Sequence, residues 1–283
     1  MKVLLIGANG QMGTDISSVF KPDFELVPLT IEDIDIADPV QARVILEKHR
    51  PGAVINTAAY HNVPECEKYP EKAFLINTVA VRNLVLICRD IDARLIHFST
   101  DYVFDGRKKS PYTENDSPHP LNVYAISKLA GELFATLAPK HYLIRVASLF
   151  GLAGCMGKGG TNFIESIIKN AAQKPVLQVT SNIISSPTYT YDAALKIKEM
   201  LKADMPSGIY HLTNSGSCSW YEFAQEIAKL AGLKAKIEPR EETEEQAGVR
   251  RPLYSVLNSI KLRPLRSWQD ALKDYISKRG KGE

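Results

Sequence analysis

With 283 residues, 45% of them hydrophobic and 24% charged, the chain can build one large domain or two smaller ones around a substantial core, and its composition excludes intrinsic disorder. The 35 Lys and Arg against 32 Asp and Glu leave a net charge of +3. The one local basic excess, Lys278, Arg279 and Lys281, is too short for a nucleic-acid footprint. Cys66, Cys88, Cys155 and Cys218 form no CxxC pair, which argues against a disulfide framework or a zinc site and reads as four spectators in a reducing compartment. The apolar stretch in MKVLLIGANGQ is shorter than a signal peptide's core, and no later run has membrane-spanning length, so a cytoplasmic protein is expected.

Lys2 to Ile6 is a short apolar run, followed by Gly7, Gly10 and Gly13 and then by a helical pattern through Ile16, Val19 and Phe20. Strand, glycine turn and helix is the order a dinucleotide site requires: a tight turn, close approach of backbone to pyrophosphate, and close packing of helix on strand, with phosphate at the helix N-terminus. The spacing GxxGxxG departs from GxGxxG by one residue, and an arbitrary glycine-rich turn is the alternative. Its place directly after a buried-type strand favours the dinucleotide. Phe24 to Pro28 is a second strand. The acid or arginine expected about 20 residues past the first glycine is missing, with Leu29, Thr30 and Ile31 at the strand end and Glu32 late, so NAD and NADP are not distinguished. Val40 to Lys48 is helical, with Asp38 as N-cap and Pro39 at the first position. Ala53 to Asn56 is a third strand, leading into Thr57, Ala58, Ala59 and Tyr60, where small residues let a flat cofactor lie against the backbone.

Pro70 to Arg89 carries a broad apolar stripe and reads as one helix; Asn77 within it is either a surface residue or a clamp on a neighbouring strand. Arg94 to Phe98 and His141 to Val146 are strands four and five. The first of them delivers Ser99, Thr100 and Asp101 at its carboxyl end, where ligands collect in open α/β sheets. Between the two strands a helix over Ala125 to Leu137 has Tyr124 and Lys128 at its head, four apart and on one face. A phenol that gives or takes a proton near neutrality starts from a pKa of about 10, and a lysine one turn away is expected to lower it. YxxxK alone also occurs on ordinary surface helices. Strands alternating with helices through about Gly151 define an α/β protein, a Rossmann-type doubly wound parallel sheet over residues 1–151. GLAGCMGKGG then reads as a mobile loop or a lid, and residues 152–283 as a smaller α+β substrate domain, with part of 185–205 returning to the first. Arg250 and Arg251 either clamp a diphosphate or are solvated.

The glycine turn, STD at 99–101 and YxxxK at 124–128 together resemble an extended short-chain dehydrogenase/reductase. YVFDG at 102–106, PYTE at 111–114, PLNVYAISKLAGE at 120–132, SPTYT at 186–190 and RPLYSVLNSIKLR at 251–263 resemble the dTDP-4-dehydrorhamnose reductase family across nearly the whole chain. The resemblance implies NADPH- or NADH-dependent reduction of the C4 ketone of a nucleotide-linked 6-deoxy-4-ketohexose. Tyr124 would protonate the nascent alkoxide, Lys128 would hold the nicotinamide ribose, and Thr100 would hydrogen-bond the carbonyl oxygen. It also implies Gly7, Gln11 and Met12 at the pyrophosphate, Asp35 and Ile36 at the adenine, Ala58, Ala59 and Tyr60 along the cofactor, and Asn77 and Ser99 at its nicotinamide half. The substrate would meet Thr100, Asp101, Tyr102 and Leu149, with its nucleotide end near Asn162 and Arg251.

Two departures stand out. Leu149 occupies the place of a family tryptophan in RVASLFG, removing a sugar-stacking contact, and Pro64 stands where aspartate is usual. A binding protein of the same fold, like the regulatory beta subunit of methionine adenosyltransferase, and another nucleotide-sugar ketoreductase or epimerase are the alternatives. Possession of Thr100, Tyr124 and Lys128 together favours an enzyme. A homodimer and a bound magnesium ion are not readable from the residues, and no protein metal site, nucleic-acid partner or membrane contact is expected.

Overall fold

The computed structural model describes residues 1–155, 159–243 and 248–279. Its centre is a sheet of β1 (Lys2–Ile6), β2 (Glu25–Leu29), β3 (Ala53–Asn56), β4 (Arg94–Thr100), β5 (His141–Val146) and β10 (Gly208–His211). The six strands are parallel, in the order β10-β5-β4-β3-β1-β2. VLLI in β1 and AVIN in β3 are buried end to end, as strands covered on both faces must be. From β1 the chain turns one way to β2 and the other way to β3, so a crevice opens at their carboxyl ends.

Helices α1 (Gln11–Phe20) and α8 (Thr190–Lys202) cover one face of the sheet. α2 (Pro39–His49), α5 (Ala80–Asp90) and α6 (Val123–Ala135) cover the other. The Asp38 carboxylate caps α2 by accepting from Val40 and Gln41 N–H, with Pro39 at the first position. α3 (Val63–Lys68) follows the loop after β3.

The helix expected over Pro70 to Arg89 is interrupted: α4 (Pro70–Phe74) passes through a π-helical turn, Leu75–Val79, before α5 begins. Asn77 sits in that turn, where π-bulges redirect a side chain. Its Oδ1 accepts from Tyr60 N at 2.9 Å, and its Nδ2 donates to Tyr60 O at 2.8 Å and Ser127 Oγ at 3.0 Å. Asn77 is therefore the clamp, holding the loop after β3 to α6. α6 comes so close that a Cβ on Gly131 would lie 2.1 Å from the Asn77 carbonyl oxygen.

A second core holds Phe150, Ile164, Tyr189, Phe223, Trp268 and Tyr275. Around it stand α7 (Phe163–Ala171), α9 (Trp220–Leu230) and α10 (Trp268–Lys278), with β7 (Val176–Thr180) paired in parallel to β12 (Lys236–Arg240). Two of these elements escaped the sequence reading. β12, KIEPR, buries no residue fully and shows no alternation. α10 starts at Ser267, whose Oγ accepts from Asp270 N at 3.1 Å. Residues 156–158 of the glycine-rich stretch lie outside the described residues. Among the described residues, no helix is long and apolar enough to cross a membrane.

Candidate active site

A cleft of about 430 Å³ opens at the switch point between β1 and β3. The glycine turn contributes Gly7, Gly10, Gln11 and Met12 to its wall, and the loop after β3 contributes Ala58 and Ala59. Ser99, Thr100, Asp101 and Tyr102 come from the end of β4, Tyr124 and Lys128 from α6, and Leu149 and Asn162 from the second lobe. Gly13, Asp35, Ile36, Tyr60, Asn77 and Arg251 are placed off the cleft wall. Gly13 packs under the turn, Ile36 is 3% exposed in the sheet's core, and the Asp35 carboxylate accepts from Ala37 N. Tyr60 and Asn77 hold each other. Arg251 has Nη1 3.9 Å from Glu242 and a buried Nε with no hydrogen-bond partner among the described residues.

The three glycines divide the tasks of the turn. Gly7 has φ +79°, and a Cβ there would sit 2.5 Å from Thr57 Oγ1. A Cβ on Gly13 would lie 2.1 Å from the Gly7 carbonyl oxygen, so α1 packs on β1 only without a side chain. Gly10 is less crowded, a Cβ there meeting only the Gly7 oxygen at a tight 3.3 Å, and it lines the cleft. As N-cap of α1 it offers no side-chain bond, and the first turn holds no acid. The opening N–H groups and positive dipole end of α1 thus present themselves to an anion. Gln11 Oε1 and Ser99 Oγ are buried without hydrogen-bond partners among the described residues, on residues that line the same cleft. These features fit a dinucleotide: phosphate at the turn and hydrogen-bond donors for the two orphaned oxygens.

α6 is capped by Asn122, whose Oδ1 accepts from Ala125 N at 2.9 Å and whose Nδ2 donates to Arg250 O at 2.8 Å. The cap places Tyr124 and Lys128 on the cleft side. Lys128 Nζ donates to Phe98 O at 2.6 Å and lies 3.3 Å from His97 Nε2. His97 is held in turn by Asn56 Nδ2 at 3.2 Å. Burial pushes the Lys128 ammonium down to about 8 and keeps His97 neutral, its pKa well below the usual value. Burial also pushes the Tyr124 phenol up, against a hydrogen bond with Thr100. The expectation that Lys128 lowers the tyrosine pKa is therefore corrected: the ammonium is drawn to the Phe98 carbonyl, and Tyr124 stays a neutral phenol, the form that can donate a proton.

Thr100 is already engaged. Its Oγ1 donates to Asp101 Oδ1 at 3.1 Å and accepts from Tyr102 N at 3.2 Å. Asp101 Oδ2 accepts from Ser255 Oγ at 2.5 Å and Ser185 Oγ at 3.4 Å. Despite this cage of hydroxyls, burial raises the Asp101 carboxyl to about 6.

The second lobe adds two aromatic residues that the sequence did not single out. Phe163 and Trp220, at the N-termini of α7 and α9, line the cleft together with Leu149, their ring centroids 4.6 Å apart and their planes at 51°. Apolar aromatic surface is thus present although Leu149 itself is aliphatic. Both rings directly follow a capping residue, Asn162 and Ser219, a local signal that can mark a helix start but not the cleft.

A switch-point crevice with a glycine turn on one wall and a tyrosine–lysine pair on the other defines a nicotinamide-dinucleotide oxidoreductase of the extended short-chain dehydrogenase/reductase class. The family model described as the RmlD substrate binding domain matches residues 1–280, and the chain belongs to this family, that of the dTDP-4-dehydrorhamnose reductases. The chain is 39% identical over 287 residues to a spore coat polysaccharide biosynthesis protein, SpsK, of Bacillus subtilis (strain 168), with 98% of each covered. It is 33% identical to a dTDP-4-dehydrorhamnose reductase of Streptomyces griseus, covering 96% of this chain and 91% of the relative. The crystal structure of dTDP-4-dehydrorhamnose reductase from Bacillus anthracis str. Ames in complex with NADP superposes with a TM-score of 0.93 at 31% identity, covering 98% of this chain and 99% of that one.

Proposed function

We propose that this protein reduces the C4 ketone of a nucleotide-linked 6-deoxy-4-ketohexose with NADPH, or NADH, and that dTDP-4-dehydrorhamnose is the substrate, yielding dTDP-L-rhamnose. The observation that carries this reading is the meeting of Thr100, Tyr124 and Lys128 on one cleft wall, opposite a helix N-terminus free of side-chain caps. When bound, the reduced nicotinamide supplies the hydride. Tyr124, neutral in its buried setting, gives its proton to the oxygen at C4 as negative charge develops there. Thr100 fixes the phenol's position and Asp101 fixes Thr100. Lys128, anchored by Phe98 O and His97, orients the nicotinamide ribose. Gly7, Gly10 and Gln11 receive the pyrophosphate at the start of α1.

Phe163, Trp220 and Leu149 supply apolar surface to the nucleotide sugar, and Arg251 supplies donors toward its diphosphate, whereas the Asn162 amide is spent on Gly151 O and Tyr275 OH. A different 4-ketosugar is the second reading. A dTDP-4-keto-6-deoxy-D-glucose reductase of Streptomyces niveus is 32% identical over 278 residues, and Leu149 on the cleft wall offers an aliphatic side chain in place of a stacking ring. Among the described residues no group of three or more His, Cys, Asp or Glu gathers to hold a metal ion. NADPH oxidation by the purified protein against a panel of nucleotide 4-keto-6-deoxysugars tests the reading: turnover with dTDP-4-dehydrorhamnose is expected, and absence of turnover with every such sugar would refute it.

A further inference from the structure

The rim of the cleft carries a pair of side chains that the reduction does not use. His61 and Cys155, 94 positions apart in the chain, bring Nε2 to 3.1 Å from Sγ. His61 Nδ1 lies 3.3 Å from the Ala59 carbonyl oxygen, an atom that can only accept. The ring proton therefore belongs on Nδ1, and the Nε2 lone pair faces the thiol. A base aimed at a thiol is the arrangement that generates thiolate. Both residues line the cleft, and Cys155 N–H donates to Thr161 O at 3.0 Å, directly before Asn162 and Phe163.

The remaining cysteines have the opposite setting. Cys66 and Cys88 are 0% exposed and Cys218 5%. Burial pushes the Cys66 thiol up to about 11 and the Cys88 thiol to about 12, and that of Cys218 higher still. Cys155 is half-buried and borders the open volume.

We propose that Cys155 is a covalent modification site, at which soft electrophiles and hydrogen peroxide that enter the cleft react with a thiolate formed by proton transfer to His61. With an alkyl halide, the S–C bond forms as the carbon–halogen bond breaks. The halide leaves with the electron pair, and the thiol proton remains on His61 until water takes it. With peroxide, the S–O bond forms and the O–O bond breaks, the departing hydroxide taking the proton from His61 as water. Sulfur is oxidised by two electrons to the sulfenic acid and the peroxide is reduced. Either adduct projects into the part of the cleft next to Phe163 and Trp220. It closes the substrate end while leaving the glycine turn open; this consequence rests on the reading of the cleft given above, whereas the reactivity itself does not.

The test is time-resolved labelling of the full-length protein with iodoacetamide, following all four cysteines by peptide mass spectrometry. Cys155 is expected to label about 10-fold or more faster than any of the others, and His61→Gln to slow it by about 10-fold. The wild-type rate should also level off at a pH below the ordinary thiol value of about 8.5, a measurement that needs no variant. Reductase activity should fall in step with Cys155 labelling while NADPH binding persists, and the residual activity of Cys155→Ser should resist the reagent. Labelling of Cys155 no faster than that of Cys66, or a rate that follows an ordinary thiol with pH, would overturn the site. Full activity after stoichiometric labelling would overturn the blocking role.

Discussion

Asp101→Asn separates the electrostatic cost of the site from its hydrogen bonding. The carboxyl is 4% exposed and burial raises it from the ordinary 3.8 to about 6, against the hydrogen bonds of Ser255, Thr100 and Ser185. At about 1.4 kcal/mol for each pH unit, that difference is roughly 3 kcal/mol. The sign follows from linkage. Between 3.8 and about 6 the folded chain holds a proton that the unfolded chain has released, so stability falls as pH rises through this window. Above it the full cost of the buried charge is present, and below 3.8 it is gone. Asparagine keeps the shape and carries no charge at any pH. Its altered hydrogen bonding adds an offset, but that offset is the same at every pH.

Urea denaturation of wild type and Asp101→Asn, from about pH 4 to pH 8, gives the difference as a function of pH. The variant should gain on wild type by roughly 2–2.5 kcal/mol across the series, with most of the change between pH 4 and 6. Two curves that run parallel over the whole range would show that Asp101 titrates as an ordinary carboxylate and that its cage fully compensates its burial.

Tyr124→Phe should lower kcat by about 10²- to 10⁴-fold with cofactor affinity nearly unchanged, as steady-state kinetics and fluorescence titration would show. Because burial brings Lys128 down to about 8, its positive charge is lost as pH rises through that value, and kcat/KM should decline above it; a profile flat to about pH 10 would contradict this. Gly10→Val, where a Cβ meets only the Gly7 oxygen at 3.3 Å, should fold and lose NADPH affinity. Gly13→Ala, whose Cβ meets the Gly7 oxygen at 2.1 Å, should lose stability as well, and circular dichroism with cofactor titration separates the two. Glu132→Ala leaves Arg145, bonded to it at 2.9 and 2.7 Å, as a buried unpaired cation, and should cost about 3–5 kcal/mol in chemical denaturation.

What could be seen in the sequence was what is local. β1 and β3 show as apolar runs, α2 by its Asp–Pro start, and the glycine turn and the tyrosine–lysine spacing are readable because each is set within a few residues. The parallel sheet follows from the alternation of such elements. What the side chains then do depends on partners far along the chain. Lys128 was read beside Tyr124, four residues away, yet its ammonium is held by Phe98 O and His97, about thirty residues upstream. The aromatic wall of Phe163 and Trp220 depends on two helices of the second lobe meeting, and nothing in either segment announces it. β12 was missed because a short exposed strand lacks the alternation that marks a half-buried one. Asn77 shows the intermediate case: both of its readings were visible, and only the π-helical turn and the approach of Gly131 decide between them.

The most direct measurement is the fate of the hydride. NADPH carrying deuterium at nicotinamide C4, incubated with the protein and dTDP-4-dehydrorhamnose, should yield dTDP-L-rhamnose with deuterium at sugar C4. That product should be lost with Tyr124→Phe in proportion to the fall in kcat. Binding of NADPH without deuterium transfer to dTDP-4-dehydrorhamnose or any related 4-ketosugar would contradict the account and point instead to a protein that keeps the fold and the cofactor but not the reaction.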